Sequence, residues 1–218
     1  MNAKGSLTKS RKTADLNSYI IDMRRIIMSD IKMNPFTMFF DLQNGMSDER
    51  KPTRRVLSQM RGMYADDAAF EAAVKANDDT VYDFYELGLP ETSGNLLFGT
   101  SIVYPGKVGN EYYMTKGHFH TILDTAEVYY CLSGKGYMLM ENPEGDWDVQ
   151  LLTPGKAVYV PGRYAHRSIN IGNEKLVTFF VFRADAGHDY GTIETKGYRK
   201  LVVEKEGKPA IIDNPKWK

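Results

Sequence analysis

The spacing of apolar residues changes once along the chain. Near the start, Leu16, Ile20, Met23, Ile27 and Ile31 recur every three or four residues. That period predicts an amphipathic helix, capped by Asp15 and stopped by Asn34-Pro35. Its apolar stripe needs a surface, either the body of this chain or a second subunit. Residues 36–45, with MFFDLQNG, read as a strand ending in a turn. Across 53–63, Val56, Leu57, Met60 and Met63 share one helical side, so a second helix is expected there. Arg54 and Arg55 would sit in its first turn, against the helix dipole. They either face an anion or are solvated. Residues 66–76 are alanine-rich and predict a short helix ending near Asn77.

From Thr80 onward, short apolar runs alternate with turn residues. Strands are expected over 81–86, 96–104, 112–120, 127–132, 137–140, 147–152, 157–160, 166–170, 175–183, 198–204 and 210–212. The stretches 105–110, 133–136, 142–145, 153–155 and 184–191 read as connecting turns and loops. Many short strands at regular spacing indicate a mainly β fold, a sandwich or barrel, and a jelly roll fits. No linker divides the chain. The expected layout is a basic tail and helix over 1–34 as an extension, then one domain over 35–218.

Composition narrows the partners. Lysine and arginine number 28 against 28 aspartates and glutamates. This balance gives no general case for nucleic acid or an anionic membrane. There is no long apolar run and no secretory h-region behind the basic N-terminus. The single cysteine, Cys131, excludes an internal disulfide and fits a reducing, cytoplasmic setting.

The chemistry concentrates in GHFHTILDTAEVYYCLSG, residues 117–134. On a strand, His118 and His120 point the same way, and Glu127, Tyr129 and Cys131 share a face of the next. His166 follows on a later strand. Three imidazoles and a carboxylate suit Fe(II), Mn(II), Ni(II) or Zn(II) and leave two positions of an octahedral ion open. The fourth histidine, His188, lies in a loop. It either titrates near neutral pH as an acid or base, or pins that loop.

The spacing His-x-His, six residues, Glu, six residues, Gly134, then Gly155, Pro161, His166 and Asn170 resembles the two cupin motifs. Six residues before Glu127, in place of three or four, resembles the cupin-type glucose-6-phosphate isomerases best known from archaea. YPGKVGNE at 104–111, MTKGHFH at 114–120, AEVY at 126–129, VYVP at 158–161, AHR at 165–167, ADAGHDYGTI at 184–193 and DNPKW at 213–217 share the likeness. It covers residues 35 to the end.

The resemblance implies a cupin jelly-roll β-barrel with a few N-terminal helices, a homodimer, and a glycolytic and gluconeogenic enzyme interconverting glucose 6-phosphate and fructose 6-phosphate. It implies one divalent transition metal per subunit, Fe(II) foremost, held by His118, His120, Glu127 and His166. Glu127 is the implied base, through an enediolate, with a metal-assisted hydride shift left as the competing route. Tyr129 either orients sugar oxygens or fills the barrel. Thr100, Thr115 and Gly117 are the implied phosphate positions, with Lys116 as an added charge nearby and His188 and Tyr190 as further polar contacts. Phe182 stands where the family commonly has Tyr. Arg163 stands where the general motif has Gly and the isomerases an aromatic residue. A cupin dioxygenase or oxalate-type enzyme, and a non-catalytic sugar-binding cupin, are the alternatives.

Overall fold

The computed structural model describes residues 34–217. The helix expected over 15–33 lies outside the described residues. Met38–Lys218 forms one compact unit.

Its architecture is mainly β, as the sequence pattern predicts. Thirteen strands are named in chain order: β1 Thr53–Val56, β2 Thr80–Glu86, β3 Leu96–Val103, β4 Lys107–Val108, β5 Glu111–Tyr112, β6 Glu127–Ser133, β7 Gly136–Glu141, β8 Trp147–Leu152, β9 Ala157–Val160, β10 Ala165–Asn170, β11 Leu176–Arg183, β12 Lys200–Lys205 and β13 Lys208–Asp213. Two helices join them, α1 Asp67–Ala76 and α2 Gly191–Lys196. The strands form three sheets, ordered β1-β2-β3-β11-β6-β9, β10-β7-β8 and β13-β12-β5-β4. Hydrogen-bonded pairing among the described residues does not close them into the single barrel that was expected.

Three local expectations are corrected. Residues 53–63 are not a helix: Thr53–Val56 pairs with β2, and only Leu57–Met60 makes a 3-10 turn. Leu57 and Met60 are buried, so the spacing of three that suggested a helix reports that turn. Residues 36–45 contain no strand, because the Asp41 carboxylate accepts from the Gln43 and Asn44 amides and closes a turn. Residues 112–120 are not one strand but β5 plus isolated bridges at Met114, His118 and Phe119. The segment counted as loop at 105–110 holds β4, and α2 follows the loop at 184–191. Helix α1 is as expected, with the Asp66 carboxylate accepting from the Ala69 amide at its start.

The six-stranded sheet positions the site. In register, Phe180 of β11 stands between Gly99 of β3 and Tyr129 of β6, and Phe182 between Leu97 and Glu127. Tyr82, Phe84 and Glu86 of β2 continue this face. The opposite face carries Tyr85, Ile102 and Val177, which are buried under Phe40, Tyr104 and Leu132. A Cβ on Gly45 would lie 2.7 Å from Val177 Cγ1, so the turn at 41–46 presses directly on that second face. Among the described residues no helix is long and apolar enough to cross a membrane.

Candidate metal centre and substrate cavity

Three different parts of the fold deliver the four candidate ligands. His118 and His120 come from the bridged segment after β5, Glu127 opens β6, and His166 is the second residue of β10. The bridge pairs His118 with His166 directly, and the His166 amide donates to the His118 carbonyl at 3.2 Å. One ligand atom from each of the four lies within 4.8 Å of the others. His120, Glu127 and His166 are buried to 5 %, 2 % and 2 % exposure.

The proton positions follow from the neighbours. His120 Nδ1 lies 3.0 Å from the Thr125 carbonyl and 2.7 Å from Thr125 Oγ1. That hydroxyl donates to the Ile122 carbonyl at 2.7 Å, so it can only accept from His120. Nδ1 therefore carries the proton and Nε2 a bare lone pair. His166 Nδ1 faces the Tyr164 carbonyl at 3.3 Å, which fixes the same tautomer. Both Nε2 atoms face Glu127 Oε2, at 3.2 Å from His120 and 2.9 Å from His166. The His166 approach lacks hydrogen-bond geometry, and the Nε2 atoms of His118 and His166 are buried without a hydrogen-bond partner. Bare nitrogens and a carboxylate oxygen converging in a buried site call for a cation between them. The donor set fits a borderline-hard divalent metal.

The surroundings favour an anionic Glu127 beside positive charge. Burial alone would push the Glu127 carboxyl up, but the imidazoles of His166 and His120 outweigh it and hold the group well below the usual carboxylate range. Burial, reinforced by His166 and His188, drives His118 well below an ordinary histidine. Burial also lowers His188.

A cavity of about 170 Å³ opens on this cluster. Thr115, Gly117, Tyr129, His188 and Tyr190 are among its lining residues. Tyr129 packs its ring 5.6 Å from that of His166, and burial lifts its phenol far above normal with help from Glu127. His188 lies 4.4 Å from His118, ring centre to ring centre, and stacks on Tyr190 at 5.8 Å. Burial pushes the Tyr190 phenol up to about 12. Phe182 stacks on His120 at 5.9 Å, an apolar contact that needs no hydroxyl.

Gly117 is required by its backbone. Its φ is +75°, and a Cβ there would collide with Tyr198 Oη and lie 2.9 Å from the His166 carbonyl oxygen. Arg167, buried to 2 %, braces the same turn from behind. Its Nη2 donates to the Lys116 carbonyl at 2.6 Å, and its guanidinium lies 4.1 Å over the Tyr198 ring.

Two expected residues are not brought to the cavity. Thr100 is fully buried on the opposite face of β3, where its hydroxyl donates to the Gly45 carbonyl. Its neighbour Ser101 lines the cavity instead. Lys116 turns away, with Nζ 2.7 Å from Glu194 of α2. Sequence reasoning also passed over Ser168, Tyr82 and Glu86, which line the cavity too. Burial pushes the Glu86 carboxyl up to about 6, with Glu91 and Glu127 adding to it. Arg163 adopts φ +75°, the left-handed region that the general motif's glycine occupies freely. It pairs with Glu144 and donates its amide to the Leu123 carbonyl at 2.6 Å.

A family model described as glucose-6-phosphate isomerase matches residues 54–218. The chain belongs to the glucose-6-phosphate isomerase family. Among its relatives, the glucose-6-phosphate isomerases of Thermococcus litoralis and Pyrococcus furiosus are each 46 % identical over 184 residues, 84 % of this chain and 97 % of theirs. That of Thermococcus kodakarensis is 44 % identical over the same shares. A solved oxalate oxidase in complex with glycolate aligns with a TM-score of 0.43 at 13 % identity, covering 52 % of this chain and 56 % of that one. Within the glucose-6-phosphate isomerase family, the matched span contains all four candidate ligands and every cavity-lining residue named above.

Proposed function

We propose that this chain interconverts glucose 6-phosphate and fructose 6-phosphate with one divalent transition metal, Fe(II) foremost and Mn(II), Ni(II) or Zn(II) as substitutes, held by His118, His120, Glu127 and His166. The observation that carries the reading is the shape of the site. Unpaired imidazole nitrogens and a carboxylate converge at a cavity whose lining also includes Ser101, Thr115 and Gly117. When bound, the ion supplies Lewis-acid polarisation of the substrate's oxygens at C1 and C2.

The chain's own groups do the rest. Glu127, anionic and buried, takes the proton from C2 of the aldose and returns it to C1. Tyr129 sets its hydroxyl against that carboxylate and orients the sugar. His188, kept neutral by burial and stacked on Tyr190, takes the C1 hydroxyl proton on ring opening and delivers it to the departing ring oxygen O5. Thr115, Gly117 and Ser101 hold the phosphate with hydroxyls and the backbone N–H. Residues 35–218 perform this as one domain, with 1–34 as an extension, in the cytoplasm. Two copies pair, and the exposed Tyr130 and Tyr159, side by side on the outer face of β6 and β9, favour a dimer.

Protein loaded with Fe(II) or Mn(II) is expected to convert fructose 6-phosphate to glucose 6-phosphate in a dehydrogenase-coupled assay, and a chelator to abolish it. No activity with any divalent metal refutes the reading. His118→Ala and His166→Ala are expected to lose most bound metal by elemental analysis, and unchanged stoichiometry removes either from the ligand set.

A further inference from the structure

The paired arginines of β1 have opposite fates. Successive side chains on a strand face opposite ways. Arg54 reaches the outer face, where Nε and Nη2 donate to both oxygens of Asp83 at 2.8 and 2.9 Å. Arg55 stands opposite Tyr82 in the ladder and shares its face, the cavity face. Its guanidinium donates to the Arg54 carbonyl at 3.2 Å. Among the described residues no carboxylate forms an ion pair with it. The same guanidinium pulls the phenols of Tyr82 and Tyr190 toward ionisation, against the burial that raises both, so it lies near two residues of the cavity wall. The Tyr82 hydroxyl also meets the backbone of Lys116, beside Thr115 and Gly117.

The charges of the cavity make this position informative. Its lining holds two carboxylates, Glu86 and Glu127, and neither lysine nor arginine. Lys116, next along the chain, is committed to Glu194. A phosphomonoester brings about −1.5 to −2 charges at neutral pH. Placing it beside two acids in a part-buried site is costly without a cation. We propose that Arg55 is the residue that reads the substrate's phosphate, closing over it at the rim from β1 and selecting phosphorylated over unphosphorylated sugars. This rests on the sugar-phosphate reading above. A planar guanidinium offers two parallel N–H groups to phosphate oxygens, which a point charge does not.

The test uses metal-loaded protein and sorbitol 6-phosphate, which has no carbonyl to isomerise, with sorbitol as the uncharged control. Calorimetry should show the wild type preferring the phosphorylated ligand. Arg55→Met should lose about 10- to 100-fold of that affinity, the range expected for a hydrogen bond to a charged group. Arg55→Lys should restore part of it. Wild-type binding should weaken with salt more steeply than that of Arg55→Met. Thermal melts within a few degrees of each other would show that both variants fold. If folded Arg55→Met binds sorbitol 6-phosphate as tightly as wild type, the proposal is overturned while the isomerase assay stands untouched. If the wild type does not distinguish sorbitol 6-phosphate from sorbitol, both the proposal and the sugar-phosphate reading fall.

Discussion

Replacing Gly117 with alanine tests whether one backbone position holds the candidate ligands in place. Gly117 has φ +75°, and an L side chain in that region costs about 1–2 kcal/mol. The added methyl also meets a rigid neighbour, because the His166 carbonyl oxygen would lie 2.9 Å away and His166 is a strand residue held in register by β7. Tyr198, buried to 1 %, cannot swing out to make room. Overpacking of this kind costs about 1–3 kcal/mol, so the total is about 2–5 kcal/mol. For a domain of this size each kcal/mol lowers the melting temperature by about 2–4 °C. Calorimetric melts of wild type and Gly117→Ala, each with and without metal, are the assay. The expected drop is at least about 4 °C in both states, with weaker metal binding in addition, since His118 is the next residue. A metal-free variant that melts with the wild type would show that the turn tolerates a side chain, and the account of Gly117 would be wrong.

Two further predictions separate stability from recognition. Glu111 is buried, accepts from the Ala65 amide at 2.9 Å, leaves Oε1 without a partner, and is pushed by burial to about 7. Its folded pKa lies above the usual 4.5, so between these values the native state holds more protons than the unfolded chain, and stability falls as pH rises. Denaturant titrations should show wild type losing on the order of 1–3 kcal/mol more than Glu111→Gln between pH 5 and 8; parallel curves would contradict this. Ser101→Ala should raise KM for fructose 6-phosphate about tenfold with little change in melting, whereas Thr100→Val should cost about 1–3 kcal/mol of stability by stranding the Gly45 carbonyl and leave KM unchanged. The reverse pattern would return Thr100 to the site.

The His/Glu cluster was legible because histidines are rare in this chain and their spacing is unusual. The path by which they converge was not, since a regular strand over 112–120 would have placed His118 and His120 by simple alternation. The structure uses three isolated bridges and a positive-φ glycine instead. The exchange of Thr100 for Ser101 has a similar origin. β3 is buried on both faces, so Leu97 and Val103 on one side and Ile102 on the other give no polar face to set the register. Residues 53–63 misled for the opposite reason. Their helical spacing was clear, but pairing with β2 overrides propensity. Lys116 read as a site charge because α2, which supplies Glu194, is too short to announce itself by periodicity.

His118 and His120 precede β6, Glu127 belongs to the six-stranded sheet and His166 to the three-stranded one. The complete ligand set therefore exists only once two sheets have come together. On the proposed ligand set, loading with metal would be a late event in folding, and release would wait on a local opening that parts those sheets. Which ion such a site takes up would then follow what is at hand when the sheets first close.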